Sequence, residues 1–174
     1  MALEFAKLGR NLALCARRLD RLEALKEQIG RDHPDVRVVI HRLDVDDHDR
    51  VFEVFRACDA ELGGLDRVIV NAGIGRGASL GKGYFDANKE TAITNFVSAI
   101  AQCEAALEIF RHKNDGHLVT ISSVSAVRGL SRGFNVYAAT KAGLSSLSEG
   151  MRVDLLGKPI RVTTIHPGFI RSEI

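Results

Sequence analysis

Hydrophobic positions along the chain fall into two alternating kinds of run. Short, β-rich runs without in–out alternation occupy residues 11–16, 36–43, 67–70, 117–121 and 160–165. Continuous apolar runs of this length are expected of parallel strands covered on both faces. Between them lie stretches with helical spacing. The first holds Leu19, Leu22, Leu25 and Ile29, the second Val51, Val54, Phe55, Cys58 and Leu62. A third runs through Ile93, Phe96, Val97, Ile100, Cys103, Leu107 and Phe110, and a fourth through Ala138, Ala142, Leu144, Leu147, Met151 and Leu155. Asp46, Asp47 and Asn88 are placed to cap helix starts, and Gly30, Gly63, Gly64 and Gly157 to stop helices. Repeated strand–helix alternation predicts an α/β fold built on a doubly wound parallel sheet. The helix predicted over 87–111 is apolar on more than one side. Either a neighbour beyond the sheet or the sheet and adjacent helices together cover it.

The 174 residues fit one domain with enough chain to bury a core. Hydrophobic residues make up 45% and charged residues 26%, a globular rather than a disordered mixture. The net charge of +2 is too small to point to a nucleic-acid partner, and the local cluster Arg17, Arg18 and Arg21 does not make a basic face. Cys15, Cys58 and Cys103 are widely spaced within apolar runs and show neither metal-ligand spacing nor a Cys-x-x-Cys pair, so they read as reduced core thiols. No long apolar span suggests a membrane, and the opening ten residues are too short and too charged for a signal peptide. A cytoplasmic setting is expected.

Four local patterns carry candidate chemistry. Tyr137 and Lys141 are four apart and share a helical face, so the ammonium sits near the phenol and favours its ionised form, as a general acid/base requires. Alone, the pair reads first as an amphipathic helix surface. Ile121-Ser122-Ser123 ends a strand, where parallel sheets line their ligand crevice, and a serine hydroxyl there can donate to a carbonyl or alkoxide oxygen. Asn71-Ala72-Gly73 follows another strand, and its small residues allow close backbone approach to a ligand. Asn95 is a polar amide in the middle of the long apolar helix. It needs partners there, backbone groups at a local distortion, a proton-carrying water chain, or both at once.

In this order and on these elements, the residues strongly resemble the short-chain dehydrogenase/reductase family. The matched stretches are Leu43-Asp44-Val45, Asn71-Ala72-Gly73, Asn95, Ile121-Ser122-Ser123, Tyr137-x-x-x-Lys141 and Pro167-Gly168, and together they span the chain. The resemblance implies a Rossmann-like oxidoreductase that moves a hydride between a nicotinamide cofactor and a small carbonyl or secondary alcohol. Tyr137 is then the acid/base, and Lys141 holds the nicotinamide ribose and lowers the tyrosine pKa. Ser123 orients the substrate oxygen, and Asn95 positions a water that links Lys141 to solvent. Asp44 and Val45 touch the adenine, Asn71, Ala72 and Gly73 line the adenosine side, and Ile170, after Pro167 and Gly168, meets the carboxamide. At Ala16-Arg17-Arg18 the acid that NAD enzymes use for the ribose is replaced by Ala16, and Arg17 can grip the extra phosphate of NADP bidentately. NADP is therefore the expected cofactor. The resemblance also implies a homo-oligomer, a dimer or tetramer packed through the helices at 88–111 and 137–156. The rival reading is a non-catalytic Rossmann-like partner subunit, against which the complete proton-handling set argues.

Some positions depart from the family pattern. Ser123 and Tyr137 are 14 apart where 13 is usual, which assigns one extra residue to the loop at 128–135 and leaves Ser125 as a second serine candidate. Thr140 and Ser172 replace a usual serine and threonine and keep a hydroxyl. The chain opens inside a helical pattern and stops just past a strand and a Pro-Gly turn, and no glycine-rich phosphate turn precedes Gly9. A parallel domain ordinarily opens with a strand and that turn. The expectation is a single domain over 1–174, incomplete at both ends, that is poorly stable and binds NADPH weakly or not at all by itself.

Overall fold

The computed structural model describes residues 1–76, 78–129 and 133–170. It is a Rossmann-like α/β fold with parallel sheets. Its internal contacts divide it into two compact units, Met1–Leu65 and Asp66–Ile174.

The first unit runs α1 (Ala2–Lys7), β1 (Leu12–Ala16), α2 (Leu19–Asp32), β2 (Val38–Arg42) and α3 (His48–Leu62). β1 and β2 pair in parallel with Leu12 opposite Val38 and Ala16 opposite Arg42. Alternation along the strands sorts their side chains to two faces. Leu12, Leu14, Val38 and Ile40 join Ala6 of α1 and Ile29 of α2 in one apolar cluster. On the other face Cys15 meets Cys58 of α3 and His41 meets Glu61 of α3. Helices therefore cover both faces of this pair, as the continuous apolar runs predict. Asp47 caps α3 as expected, its carboxylate accepting from the Arg50 N–H, and Gly63 ends that helix in the left-handed region at φ 75°. Gly30 does not stop α2, which continues to Asp32 and ends at His33. A glycine one turn before the end weakens a helix without ending it when flanking residues such as Ile29 are buried.

The second unit runs β3 (Arg67–Val70), α4 (Phe85–Ala92), a π-helical turn (Ile93–Val97), α5 (Ser98–Lys113), β4 (Gly116–Ile121), a 3-10 turn (Val124–Ala126), α6 (Asn135–Asp154) and β5 (Ile160–Ile165). Its strands lie in the order β3-β4-β5, all parallel. α5 and α6 pack on the same face of β4. Phe110 of α5 lies where a side chain on Gly116 would project, and Ser148 of α6 bonds Thr120. β3 and β5 match their predicted spans, but β5 is not covered on both faces: Arg161, Thr163 and Ile165 are exposed. The predicted continuous helix at 87–111 begins earlier, at Phe85, and is interrupted by the π turn. Asn88 is consequently not a cap. It lies inside α4, and its side chain accepts from the Ala78 N–H at 2.9 Å. Gly157 lies beyond the end of α6 with φ 77°. Among the described residues, no helix is long and apolar enough to cross a membrane, and no cluster of His, Cys, Asp or Glu could hold a metal.

Candidate active site

Lys141 is the centre of the arrangement in the second unit. It lies on α6, is 4% exposed, and donates from Nζ to the Ile121 carbonyl at the end of β4, at 2.8 Å. The same ammonium lies 5.9 Å from the centre of the Tyr137 ring, one helical turn earlier. Burial alone pushes its pKa down to about 8, so near neutrality it remains mostly a cation. Tyr137 is half-buried, and Phe134 meets its ring edge-to-face at 6.1 Å between centroids.

Gly73 explains how the loop after β3 comes so close. A methyl group on its Cα would stand 3.3 Å from Asn95 Oδ1, tighter than side chains ordinarily pack, and 3.4 Å from Lys141 Nζ, in ordinary contact. The missing side chain thus makes room first for two protein groups, not for a ligand alone as the motif suggests. Asn95 is fully buried in the π turn. Its Oδ1 accepts from the Ile74 N–H at 2.7 Å, and its Nδ2 donates to the Ile74 carbonyl at 2.9 Å. Of the two partners the sequence leaves open, these are backbone groups at a local distortion. Single π turns recur at functional sites because the extra residue re-aims a side chain.

Asn88, seven residues earlier, holds Ala78 of the same loop, and Arg76 pairs with Glu90 at 3.0 Å. Two helical turns separate the asparagines, so the spacing itself was a signal for a shared face. Thr140 donates to the Tyr137 carbonyl at 2.7 Å and receives a longer bond from Asn95 Nδ2 at 3.4 Å. Gly143, unmarked in the sequence reading, lets α6 approach the π turn: a methyl there would stand 3.1 Å from the Phe96 ring.

Ser123 precedes the 3-10 turn, half-buried, and accepts from the N–H of Ser125 at 3.1 Å and from its hydroxyl at 2.9 Å. The neighbouring Ser122 faces away into α6, bonding the Lys141 carbonyl at 2.9 Å and Ser145 at 2.8 Å. The Val124 N–H donates to the Pro167 carbonyl at 3.0 Å, which ties the Pro167-Gly168 turn to the serine segment. Gly168 and Ile170 are exposed, as is Asn71, while Ala72 is half-buried. Ser172 and residues 130–132 of the 128–135 loop lie outside the described residues, so the extra-residue expectation for that loop falls there too.

The adenosine-side candidates lie in the first unit. Arg17 is exposed directly after β1, and Arg18 precedes the first turn of α2. The Leu43 N–H donates to the Ala16 carbonyl at 3.0 Å, so the segments carrying Arg17 and Asp44 are joined where the two strands end. Asp44 is exposed and accepts from the Asp46 N–H at 3.2 Å; Val45 is half-buried. Cys58 and Cys103 are buried as expected, but Cys15 is exposed, with its sulfur 3.9 Å from that of Cys58.

A family model for short chain dehydrogenases matches residues 1–174. An uncharacterized oxidoreductase of Mycobacterium tuberculosis is 52% identical over 174 residues, covering all of this chain and 69% of its own length. The NADP-dependent 3-hydroxy acid dehydrogenase of Salmonella typhi is 32% identical over 171 residues, 98% of this chain and 66% of its own. Among solved structures, the alcohol dehydrogenase of the archaeon Thermococcus sibiricus, complexed with 5-hydroxy-NADP, superposes with a TM-score of 0.90 at 25% identity, covering 98% of this chain and 71% of that one. With this match along its whole length, the chain belongs to the short-chain dehydrogenase family and is an oxidoreductase of that type.

Proposed function

We propose that the protein transfers a hydride between NADP(H) and a small carbonyl or secondary alcohol, with Tyr137 as the general acid/base. The observation that carries this reading is the convergence on one buried ammonium. Gly73 and Ile121, distant in sequence, and Tyr137, one turn away, all lie around Lys141 Nζ, and a buried lysine with a depressed pKa marks a candidate functional site.

The residues present fit a nicotinamide dinucleotide phosphate. In the first unit an exposed guanidinium at Arg17, with no carboxylate at Ala16, suits the extra phosphate, and the family resemblance assigns Asp44 and Val45 to the adenine; in the second unit it assigns Asn71, Ala72 and Gly73 to the adenosine side. Lys141 would hold the ribose hydroxyls, and the Pro167, Gly168 and Ile170 backbone would meet the carboxamide. Such a cofactor, when bound, supplies or accepts the hydride. The proton is the protein's task. In reduction, Tyr137 gives its phenolic proton to the substrate oxygen as negative charge develops there. Lys141, one turn away, stabilises the resulting phenolate by its charge. Ser123 donates to the same oxygen, and Asn95 fixes the loop that carries Gly73 against the lysine. The names of two similar proteins, an NADP-dependent dehydrogenase and an alcohol dehydrogenase with an NADP derivative bound, support this cofactor and this substrate class.

The expectation of a single Rossmann-like domain over 1–174 belongs to the same proposal, as do a cytoplasmic setting and a homo-oligomer packed through α5 and α6. Tyr137→Phe tests the central role. It keeps the ring contact with Phe134 but has no proton to give, so carbonyl reduction with NADPH should fall by about two to four orders of magnitude. Turnover at the wild-type rate would overturn the assignment.

A further inference from the structure

The donor geometry around Ser123 has a consequence of its own. A serine hydroxyl has one proton to donate and two lone pairs that accept. Both acceptor sites of Ser123 are taken by the same residue: the Ser125 N–H reaches Oγ at 3.1 Å, and the Ser125 hydroxyl reaches it at 2.9 Å. Among the described residues no hydrogen bond has Ser123 as its donor. Its proton is therefore the valence that these bonds leave open, on a half-buried side chain, while Ser125 itself is buried.

We propose that Ser125 is a positioning residue that sets the polarity of Ser123, making it a committed donor to the substrate oxygen. The inference rests on the reading of Ser123 given above. Two effects combine. With its lone pairs filled, Ser123 cannot turn to accept from the substrate alcohol or from a stray water, so the rotamer and proton direction needed in the transition state are present beforehand. A hydroxyl that accepts a bond also donates more strongly, because bonds in a chain polarise one another. The extended backbone of Ser123 and the 3-10 turn that follows bring residue 125 back over residue 123, which an extended strand continuing past Ile121 would not do. The two serines are therefore not alternatives for one role. Ser123 touches the substrate, and Ser125 acts through it.

A double-mutant cycle on the full chain, read with NADPH and a panel of small aldehydes and ketones, tests this. Ser123→Ala should lower kcat by about a hundredfold or more, the usual loss when one such donor is removed. Ser125→Ala should lower kcat by roughly threefold to tenfold, leave the KM for NADPH unchanged, and be rescued by Ser125→Thr, which keeps the hydroxyl. The double variant should match Ser123→Ala alone, since a group acting through Ser123 has nothing left to act on. Wild-type kcat in Ser125→Ala beside an impaired Ser123→Ala overturns the proposal and leaves the role of Ser123 intact. So does a double variant whose loss is the product of the two single losses, or a failed rescue by threonine. Wild-type kcat in Ser123→Ala overturns the underlying reading instead, and this proposal with it. NMR of the resting protein checks the geometry without turnover. The Ser125 hydroxyl proton should be protected from exchange in the wild type and exposed in Ser123→Ala, and equal exchange in both refutes the contact.

Discussion

The two units of the molecule bury different things. Among the described residues, every buried polar or charged side chain belongs to the second unit, from Asn88 on α4 to Ser148 on α6. The first unit is closed by Ala6, Ile29, Val36 and Val38 and keeps its charged groups outside. Burying a polar group without a partner costs a few kcal/mol, so such groups persist inside only when fully bonded. The bonds of Asn95, Thr120 and Ser122 meet this condition, whereas Lys141 donates to the Ile121 carbonyl and still bears a desolvation cost. The first unit follows the ordinary logic of a layered α/β core. The second carries a bonded polar interior that includes one buried cation, Lys141, which the proposed proton transfer uses and stability alone does not require.

Breaking each interior in turn sharpens the contrast. Asn95→Ala leaves the Ile74 N–H and carbonyl without their partner, and each orphaned group costs about 1–3 kcal/mol, so a loss of about 4 kcal/mol is expected in denaturant unfolding. A change below about 1 kcal/mol would show that water replaces the amide. Ile29→Ala opens a cavity in the apolar cluster and should cost about 3 kcal/mol, yet kcat at a temperature where the variant is folded should stay near wild type. A matching collapse of kcat would show that the first unit's core serves the chemistry directly.

Lys141→Met reverses the sign. The lysine pKa is lowered from 10.5 to about 8, which amounts to about 3 kcal/mol of unfavourable burial near neutrality. Removing the ammonium recovers this, less the cost of an unbonded Ile121 carbonyl. The variant should therefore be about 1–2 kcal/mol more stable while losing reductase activity. The wild type should also gain stability as pH rises from about 8 toward 10.5. In that window the unfolded chain still holds a proton that the folded one has released. A methionine variant with the same pH slope would place the titration elsewhere. The smallest stability effect belongs to Arg17→Ala, an exposed site, at about 0.5 kcal/mol or less. Its kinetic efficiency with NADPH should nevertheless fall markedly while that with NADH is spared. Equal efficiency of wild type and variant with NADPH would remove Arg17 from the cofactor site.

Which features were legible in the amino-acid order follows from how local their causes are. Strand and helix alternation, the spans 67–70 and 160–165, the Asp47 cap and the pairing of Tyr137 with Lys141 one turn apart all depend on neighbours within a few residues. Side-chain periodicity records such neighbours directly. The Asn88 cap, the Gly30 stop and the unbroken helix at 87–111 were misread for the converse reason. Asn88 bonds Ala78, the buried Ile29 carries α2 past Gly30, and the π turn places Asn95 against Ile74, all of them tertiary events.

The residue types themselves settled that a phenol, an amine, a hydroxyl and an amide were available, and where along the chain each would stand. Tertiary structure alone decided that Lys141 is buried against Ile121 and Gly73, that β5 keeps one open face, and that Ser123 accepts twice from Ser125. Burial, proton direction and close approach depend on what the fold brings from elsewhere in the chain. A side chain's local sequence specifies its chemistry but not its surroundings, and the surroundings set its charge and its bonds.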